Sequence, residues 1–266
     1  MPNRIDAKFA ELHALGKKAF IPYVTAGDPD ADATVAAVLA LEKAGASLVE
    51  LGVPYSDPLA DGPVIQDAFA RVLARGWRID DTFAVAKRVR ERSQVPLLAM
   101  VSYSLVFRYG AERFVREAQA AGIDGAIVPD VGIEEGEAFL SDAARKDFKI
   151  VLLVAPTTEP ERERRIVERS TGFVYCVSVV GITGERRGLP PELEDHVARL
   201  KALTTKPVCV GFGVSTPEDV KTVAAIADGV IVGSAIVKLM AQHAADRAKL
   251  VSEVTRFASE LTAPLR

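Results

Sequence analysis

The sequence predicts an α/β protein of the (β/α)8 barrel class with an additional N-terminal helix. Three observations carry that prediction. Short apolar runs rich in β-branched residues alternate with longer helical patterns along all 266 residues. The runs are nearly continuous in apolar residues, which means burial on both faces, as in a parallel sheet wrapped by helices. Neither a composition break nor a low-complexity linker interrupts the chain, so 1–266 reads as one domain. An open doubly wound sheet is the alternative, but eight strand–helix units in about 250 residues match the barrel.

Taken in order, the strands fall at 20–24, 47–51, 95–101, 125–128, 150–154, 173–178, 207–211 and 229–232. Helical patterns occupy 32–44, 111–121, 134–145, 160–170, 191–202 and 217–227. Helix-start signals recur where the pattern needs them. Ser215-Thr-Pro-Glu218 and Thr158-Glu-Pro160 each offer a hydroxyl ahead of a proline suited to the first helical position. A further helix at 6–15 precedes the first strand and is expected to plug the bottom of the barrel.

In such a barrel the loops that follow the strands form the functional face. Glu50 lies at the carboxyl end of the second strand, among Leu48, Val49 and Leu51. Burying an ionised carboxylate there is costly, so such a residue is paired, protonated or functional. The Pro- and Gly-rich loop that follows, ending at Asp61-Gly-Pro63, carries two more carboxylates, Asp57 and Asp61. Two acid groups facing one bound molecule suffice for acid–base chemistry without a metal. Beside Pro and Gly, the same aspartates can also serve as turn formers. Asp28 follows the first strand and Asp130 the fourth, while Tyr175 lies in the sixth. Tyr175 and Phe212 can equally pack the barrel core.

Glycine clusters follow the last three strands: Gly181-Ile-Thr-Gly184, Gly211-Phe-Gly213 and Gly233-Ser234. Glycine lets backbone N–H groups approach an anion closely. Gly233-Ser234 opens directly into a helical pattern, whose N-terminus adds partial positive charge. Each cluster alone is also what a tight turn requires. Three on adjacent loops, with the Ser234 hydroxyl, point to a phosphate site built from backbone dipoles.

Other classes are excluded by composition. The net charge of −3 and the absence of a long basic run argue against nucleic-acid or anionic-membrane binding. No apolar stretch reaches the roughly 20 residues that span a bilayer. The first residues lack the apolar block of a signal peptide, so a cytoplasmic location is expected. Cys176 and Cys209 sit in apolar runs and read as free core thiols. His13, His196 and His243 fall in predicted helices, away from the functional face, and read as surface or packing residues. No cluster has metal-ligand spacing, so no metal is expected.

These residues together resemble the tryptophan synthase α subunit family over nearly the whole chain. The motifs are Pro22-Tyr-Val-Thr-Ala-Gly-Asp-Pro29, Glu50 through Asp61-Gly-Pro63, Val128-Pro-Asp130, Ala155-Pro-Thr157, Gly181-Ile-Thr-Gly184, Gly211-Phe-Gly-Val-Ser215 and Gly233-Ser-Ala-Ile-Val237. The Glu50 to Pro63 segment is the family-specific one. The resemblance implies a lyase that splits indole-3-glycerol phosphate into indole and glyceraldehyde 3-phosphate. It implies Glu50 as the main acid–base catalyst, Asp61 at the indole N–H, and Tyr175 close to the reacting centre. Gly184, Gly213, Gly233 and Ser234 match the family's phosphate positions. Tyr23, Met100 and Phe212 match its indole pocket. Asp57, Pro58 and Asp130 match its contact face for a β subunit, the expected holder of pyridoxal phosphate, in an α2β2 tetramer. No cofactor is implied for this chain itself.

The chemistry agrees with what the residues can do unaided. Protonating C3 of the indole ring makes it a leaving group, and removing the neighbouring hydroxyl proton completes a retro-aldol cleavage. One acid raised by an apolar setting serves both steps, and Asp61 in a polar loop stays ionised. Three positions depart from the family pattern: Tyr23 for the usual Phe, Ser104 for Asn and Gly132 for Pro. The glycine-flanked segment 184–188 has the character of a lid that partner binding would order. Two other readings remain at this level. A metal-dependent sugar-phosphate epimerase would want histidines at strand ends, and a barrel that only regulates a partner would have lost a carboxylate.

Overall fold

A computed structural model describes residues 2–58, 61–178 and 190–265. Helix α1 (Arg4–Ala14) precedes β1 (Ala19–Thr25), α2 (Ala31–Ala44) and β2 (Val49–Gly52). Two helices, α3 (Pro63–Leu73) and α4 (Ile79–Arg90), lead to β3 (Leu97–Met100). Next come α5 (Tyr103–Tyr109), α6 (Ala111–Ala120), β4 (Gly125–Ile127) and α7 (Glu137–Arg145). Strands β5 (Lys149–Val151) and β6 (Leu153–Val154) are followed by α8 (Pro160–Arg169) and β7 (Val174–Val177). The chain ends with α9 (Leu193–Leu203), β8 (Val208–Gly211), α10 (Pro217–Ile226), β9 (Gly229–Val232), α11 (Ser234–Gln242) and α12 (Arg247–Thr262).

All pairings among these strands are parallel, in the order β5-β4-β3-β2-β1-β9-β8-β7-β6. The two ends of that order are neighbours in the chain, separated by Leu152 alone, so the sheet closes into a barrel. The expected strand at 150–154 is therefore one stave in two halves, one paired to β4 and the other to β7. The break has a local cause. The Ile150 N–H donates to Thr171 Oγ1 at 2.6 Å and the Leu152 N–H to Ser170 Oγ at 3.1 Å. Side-chain hydroxyls thus take donors that a regular ladder would use, while the Leu152 carbonyl accepts from the Tyr175 N–H at 3.2 Å.

The strands alternate between two cores with the period of two that a pleated strand requires. Phe20, Val24, Val49, Leu51, Leu97 and Ala99 face outward into the helix layer. Ala19, Ile21, Leu48, Leu98, Ile127 and Ile231 face into the barrel. Glu50 falls on the inward set, one step above Leu48. At the lower mouth, Ile5 and Phe9 of α1 are buried in the same inner cluster. The Phe9 and Phe173 rings lie 5.6 Å apart. The Asn3 side chain caps α1 by accepting from the Ile5 N–H, and its amide donates to the carbonyls of Asp124 and Asp147. The expected plug is present.

Of the two helix-start signals, Thr216 acts as read. Its hydroxyl accepts from the Asp219 N–H at 3.1 Å, Asp219 accepts from the Thr216 N–H, and Pro217 opens the helix. Thr158 instead folds back to accept from the Ala155 N–H at 3.0 Å, leaving Pro160 alone to start α8.

Candidate active site

Parallel register sets the site. Tyr23 pairs with Glu50 and Glu50 with Leu98, so all three point into the barrel near its carboxyl-end mouth. The next inward position on β2 is Gly52, and the Tyr23 hydroxyl lies over it where a Cβ would be. Gly211 makes the same space for the Tyr175 hydroxyl on the other side of the barrel. Glycines in two strands thus let two tyrosines lie across the barrel floor beneath the mouth.

Asp61 comes from the loop that enters α3, whose first residue is Pro63 and whose N-cap is Gly62. That helix is braced from behind. Arg71 donates to both carboxylate oxygens of the buried Asp28 at 3.1 and 2.7 Å, tying α3 to the end of β1. Ile65 and Phe69 pack with Tyr23 and with Val237 of α11. The carboxylate loop and the helix behind the glycine cradle are thereby joined through one small apolar cluster.

Tyr23, Glu50, Asp61, Met100, Tyr175, Phe212, Gly213, Gly233 and Ser234 line one cleft. Nine residues singled out from sequence therefore meet in space. Asp57, Pro58 and Asp130 line an adjoining cleft of about 510 Å³, which shares Tyr23, Asp61, Met100 and Phe212 with the first. Gly184 and the segment 184–188 lie outside the described residues. Ile65, Val214, Ser215, Ile231 and Ala235 also line the first cleft and were not identified as site residues from sequence. Ser215 and Ala235 stand inside the quoted motifs, so adjacency to the glycines was the available signal. Ile65 carried none, since it belongs to a helix that its Pro- and Gly-rich lead-in obscured.

The two carboxyl groups differ in setting. Glu50 is 1% exposed, and its Oε1 has no hydrogen-bond partner among the described residues. Burial alone pushes its carboxyl well above the ordinary glutamate value, which favours the protonated form. Asp61 sits less deeply, and burial raises it to about 6. The loop is drier than its composition implied, yet Asp61 still ionises near neutrality. Burial, with the nearby Asp61 carboxylate added, also raises both phenols, which stay neutral donors.

The other end of the cleft is built from backbone. Gly233 caps α11 and Ser234 is its first residue. The first N–H groups of a helix have no intrahelical acceptor and face a favourable dipole for an anion. Phe212 and Gly213, both at positive φ (70° and 73°), bring a second turn of backbone to the same end. The Phe212 ring meets Tyr175 edge-on, with centroids 5.8 Å apart.

The remaining candidates take structural places. Asp130 accepts from Ser102 Oγ at 2.6 Å and from the Tyr103 N–H at 2.7 Å, fixing the start of α5 while remaining exposed. Asp57 accepts from Ser56 Oγ at 2.6 Å. His196 is buried between Cys176 Sγ at 3.7 Å and Glu163 at 3.3 Å, outside the barrel. Cys176 and Cys209 are buried free thiols. Among the described residues, no group of three or more His, Cys, Asp or Glu side chains could hold a metal ion. None of the described helices is long and apolar enough to cross a membrane.

The fold and cleft define a (β/α)8 barrel enzyme, with a buried acid facing one end of the cleft and glycine backbone at a helix N-terminus lining the other. Comparison with known proteins narrows that class. Residues 9–266 match the family model for the tryptophan synthase alpha chain. The chain is 44% identical over 259 residues to the tryptophan synthase alpha chain of Caldanaerobacter subterraneus, covering 97% of this chain and 98% of that one. It is 47% identical over 261 residues to that of Gloeobacter violaceus, covering 98% and 94%. Among solved structures, tryptophan synthase subunit alpha of Legionella pneumophila superposes with a TM-score of 0.92 at 34% identity, over 100% and 99% of the two chains. A chain of Mycobacterium tuberculosis tryptophan synthase superposes with a TM-score of 0.90 at 36% identity, over 100% and 99%. The protein belongs to the tryptophan synthase alpha chain family.

Proposed function

We propose that the cleft between Glu50 and Ser234 carries out the reaction of this lyase family, the cleavage of indole-3-glycerol phosphate to indole and glyceraldehyde 3-phosphate. The observation that carries this reading is Glu50: a buried carboxyl on the inner face of β2, with Oε1 unpartnered among the described residues, lining a cleft whose far end is glycine backbone. A neutral acid held ready at the mouth of a barrel has little structural use, and a mechanism requires one. Glu50 gives its proton to C3 of the indole ring. The resulting cationic ring draws the electron pair of the C3–side-chain bond. The Glu50 carboxylate then takes the proton of the adjacent hydroxyl, so that a carbonyl forms as the carbon–carbon bond breaks. The proton balance closes on one residue.

Asp61, ionised above about pH 6, accepts from the indole N–H and stabilises the positive charge that develops on the ring. Tyr175 adds a neutral hydroxyl donor near the reacting centre, and Tyr23, Met100 and Phe212 flank the indole. Gly213, Gly233 and Ser234 hold the phosphate through N–H groups, with Gly184 as a further donor. Anchoring both ends removes most of the orientational freedom of the substrate. The continuous sheet order supports one domain over 1–266. Asp57, Pro58 and Asp130 are the proposed contacts for a β subunit in an α2β2 tetramer, with pyridoxal phosphate confined to that subunit, and the site is a cytoplasmic one.

The test is indole release from indole-3-glycerol phosphate by wild type and Glu50→Gln, each with and without added β subunit. Wild-type release that the partner stimulates, with a silent variant that still binds glycerol phosphate, is expected. A variant that retains turnover would remove Glu50 from the chemistry, and one that loses phosphate binding would give it a structural role.

A further inference from the structure

We propose that Ser178 is a positioning residue for both halves of the substrate site, acting through the backbone of Phe212 and Gly213. The inference rests on the assignment of this cleft as the lyase site. Ser178 directly follows β7 and is 2% exposed. Its N–H donates to the Gly211 carbonyl at 3.0 Å, which extends the β7–β8 ladder by one bond. The chain after β8 then turns left-handed, with φ 70° at Phe212 and 73° at Gly213. Glycine enters that region freely, whereas an aromatic residue there must be held by its surroundings. The Ser178 hydroxyl supplies a restraint, donating to the Phe212 carbonyl. The backbone and side-chain donors of one residue thus hold two successive carbonyls, those of Gly211 and Phe212.

The turn it restrains serves two ends of the cleft at once. The Phe212 ring stands edge-on to Tyr175 at an interplanar angle of 73°, on the apolar side. Gly213 lines the cleft with Gly233 and Ser234, on the anion side. Ser178 is absent from the residues lining either cleft, and among the described residues its hydroxyl reaches the site through this turn. If Phe212 relaxed to negative φ, the peptide between 212 and 213 would rotate. The ring and the Gly213 N–H would both leave their places. A hydrogen bond of this kind shifts an equilibrium by about five- to tenfold. The left-handed conformation disfavours a non-glycine residue by a factor of the same order. One hydroxyl is therefore enough to decide which conformation prevails.

The experiment is calorimetric titration of the full chain with inorganic phosphate and, separately, with indole. It compares wild type, Ser178→Ala, Phe212→Gly and the double variant, with steady-state kinetics and melting temperature recorded alongside. In the wild-type background, Ser178→Ala is expected to weaken phosphate and indole binding about five- to tenfold each. KM should rise more than kcat falls, with little change in melting temperature. In the Phe212→Gly background, where left-handed backbone needs no restraint, the same change should have no further effect on phosphate. Unchanged phosphate affinity in Ser178→Ala, or an equal loss in both backgrounds, overturns the proposal, as does a wild type that binds no phosphate. Should the alanine variant fold poorly, Ser178→Cys keeps the bulk with a weak donor and is held to the same outcomes. Binding is read without turnover, so a wild type that binds phosphate but releases no indole would sink the lyase assignment separately.

Discussion

Replacing Asp61 with Asn keeps the shape of the side chain and removes its charge, so stability and catalysis should move in opposite directions. Burial raises the Asp61 carboxyl from 3.8 to about 6. The folded protein then holds this proton more tightly than the unfolded chain does. Its contribution is fully present below the unfolded value and is lost as pH rises through the folded one. At about 1.36 kcal/mol per pH unit, that interval amounts to about 3 kcal/mol. Residual contact of Asp61 with water brings the expected effect to about 2 kcal/mol. Urea unfolding of wild type and Asp61→Asn across about pH 4 to 8 measures it. Their stabilities should coincide near about pH 4, diverge through about pH 6, and level off with the variant ahead. Indole release should fall on the order of a hundredfold or more, because the developing ring charge loses its counter-charge. A stability difference that does not vary with pH would refute the argument from burial. Undiminished turnover would refute the role.

Two further substitutions test the architecture that supports the site. Gly52→Ala puts a methyl group where the Tyr23 hydroxyl lies. It should cost about 1–3 kcal/mol of stability by overpacking and lower kcat/KM by displacing a ring that lines both clefts, read by denaturant unfolding and steady-state kinetics. Phe9→Ala removes a ring from the plug at the opposite mouth and should cost about 3–4 kcal/mol while leaving KM unchanged. A raised KM would mean that the two ends of the barrel are coupled.

The eight staves were legible because buried parallel strands must be apolar on both faces, and runs such as Val208–Gly211 and Gly229–Val232 have no other reading of similar quality. Helices α3, α4, α5 and α12 were not drawn from the sequence. The first begins inside a Pro- and Gly-rich segment. The fourth, Arg247–Thr262, mixes charge into a weak stripe that becomes a core face only when Thr262 reaches the Ala44 carbonyl of α2 at 2.9 Å. The split at Leu152 was invisible because its cause, the hydroxyls of Ser170 and Thr171, lies some 20 residues away in the chain. Glu50 and the glycine turns stood out because each violates a local rule, a carboxyl in an apolar strand or backbone that only glycine forms easily, whereas Asp61 stood out only as a second acid inside the family-specific segment.

Sequence alone determined the kinds of group available: a glutamate that must be buried, a second acid within reach, and glycines able to present backbone to an anion. Those follow from residue chemistry and strand periodicity, which are local. Tertiary structure decided what each group became. The Glu50 carboxyl is pushed well up because closure of the sheet encloses it, and burial raises Asp61 to about 6 because Arg71, Asp28 and the Ile65–Phe69 cluster hold the helix that follows it over the mouth. The left-handed turn at Phe212 exists only where β7 and β8 lie side by side. Desolvation and strain are properties of neighbours distant in sequence, and no stretch of the chain encodes them by itself.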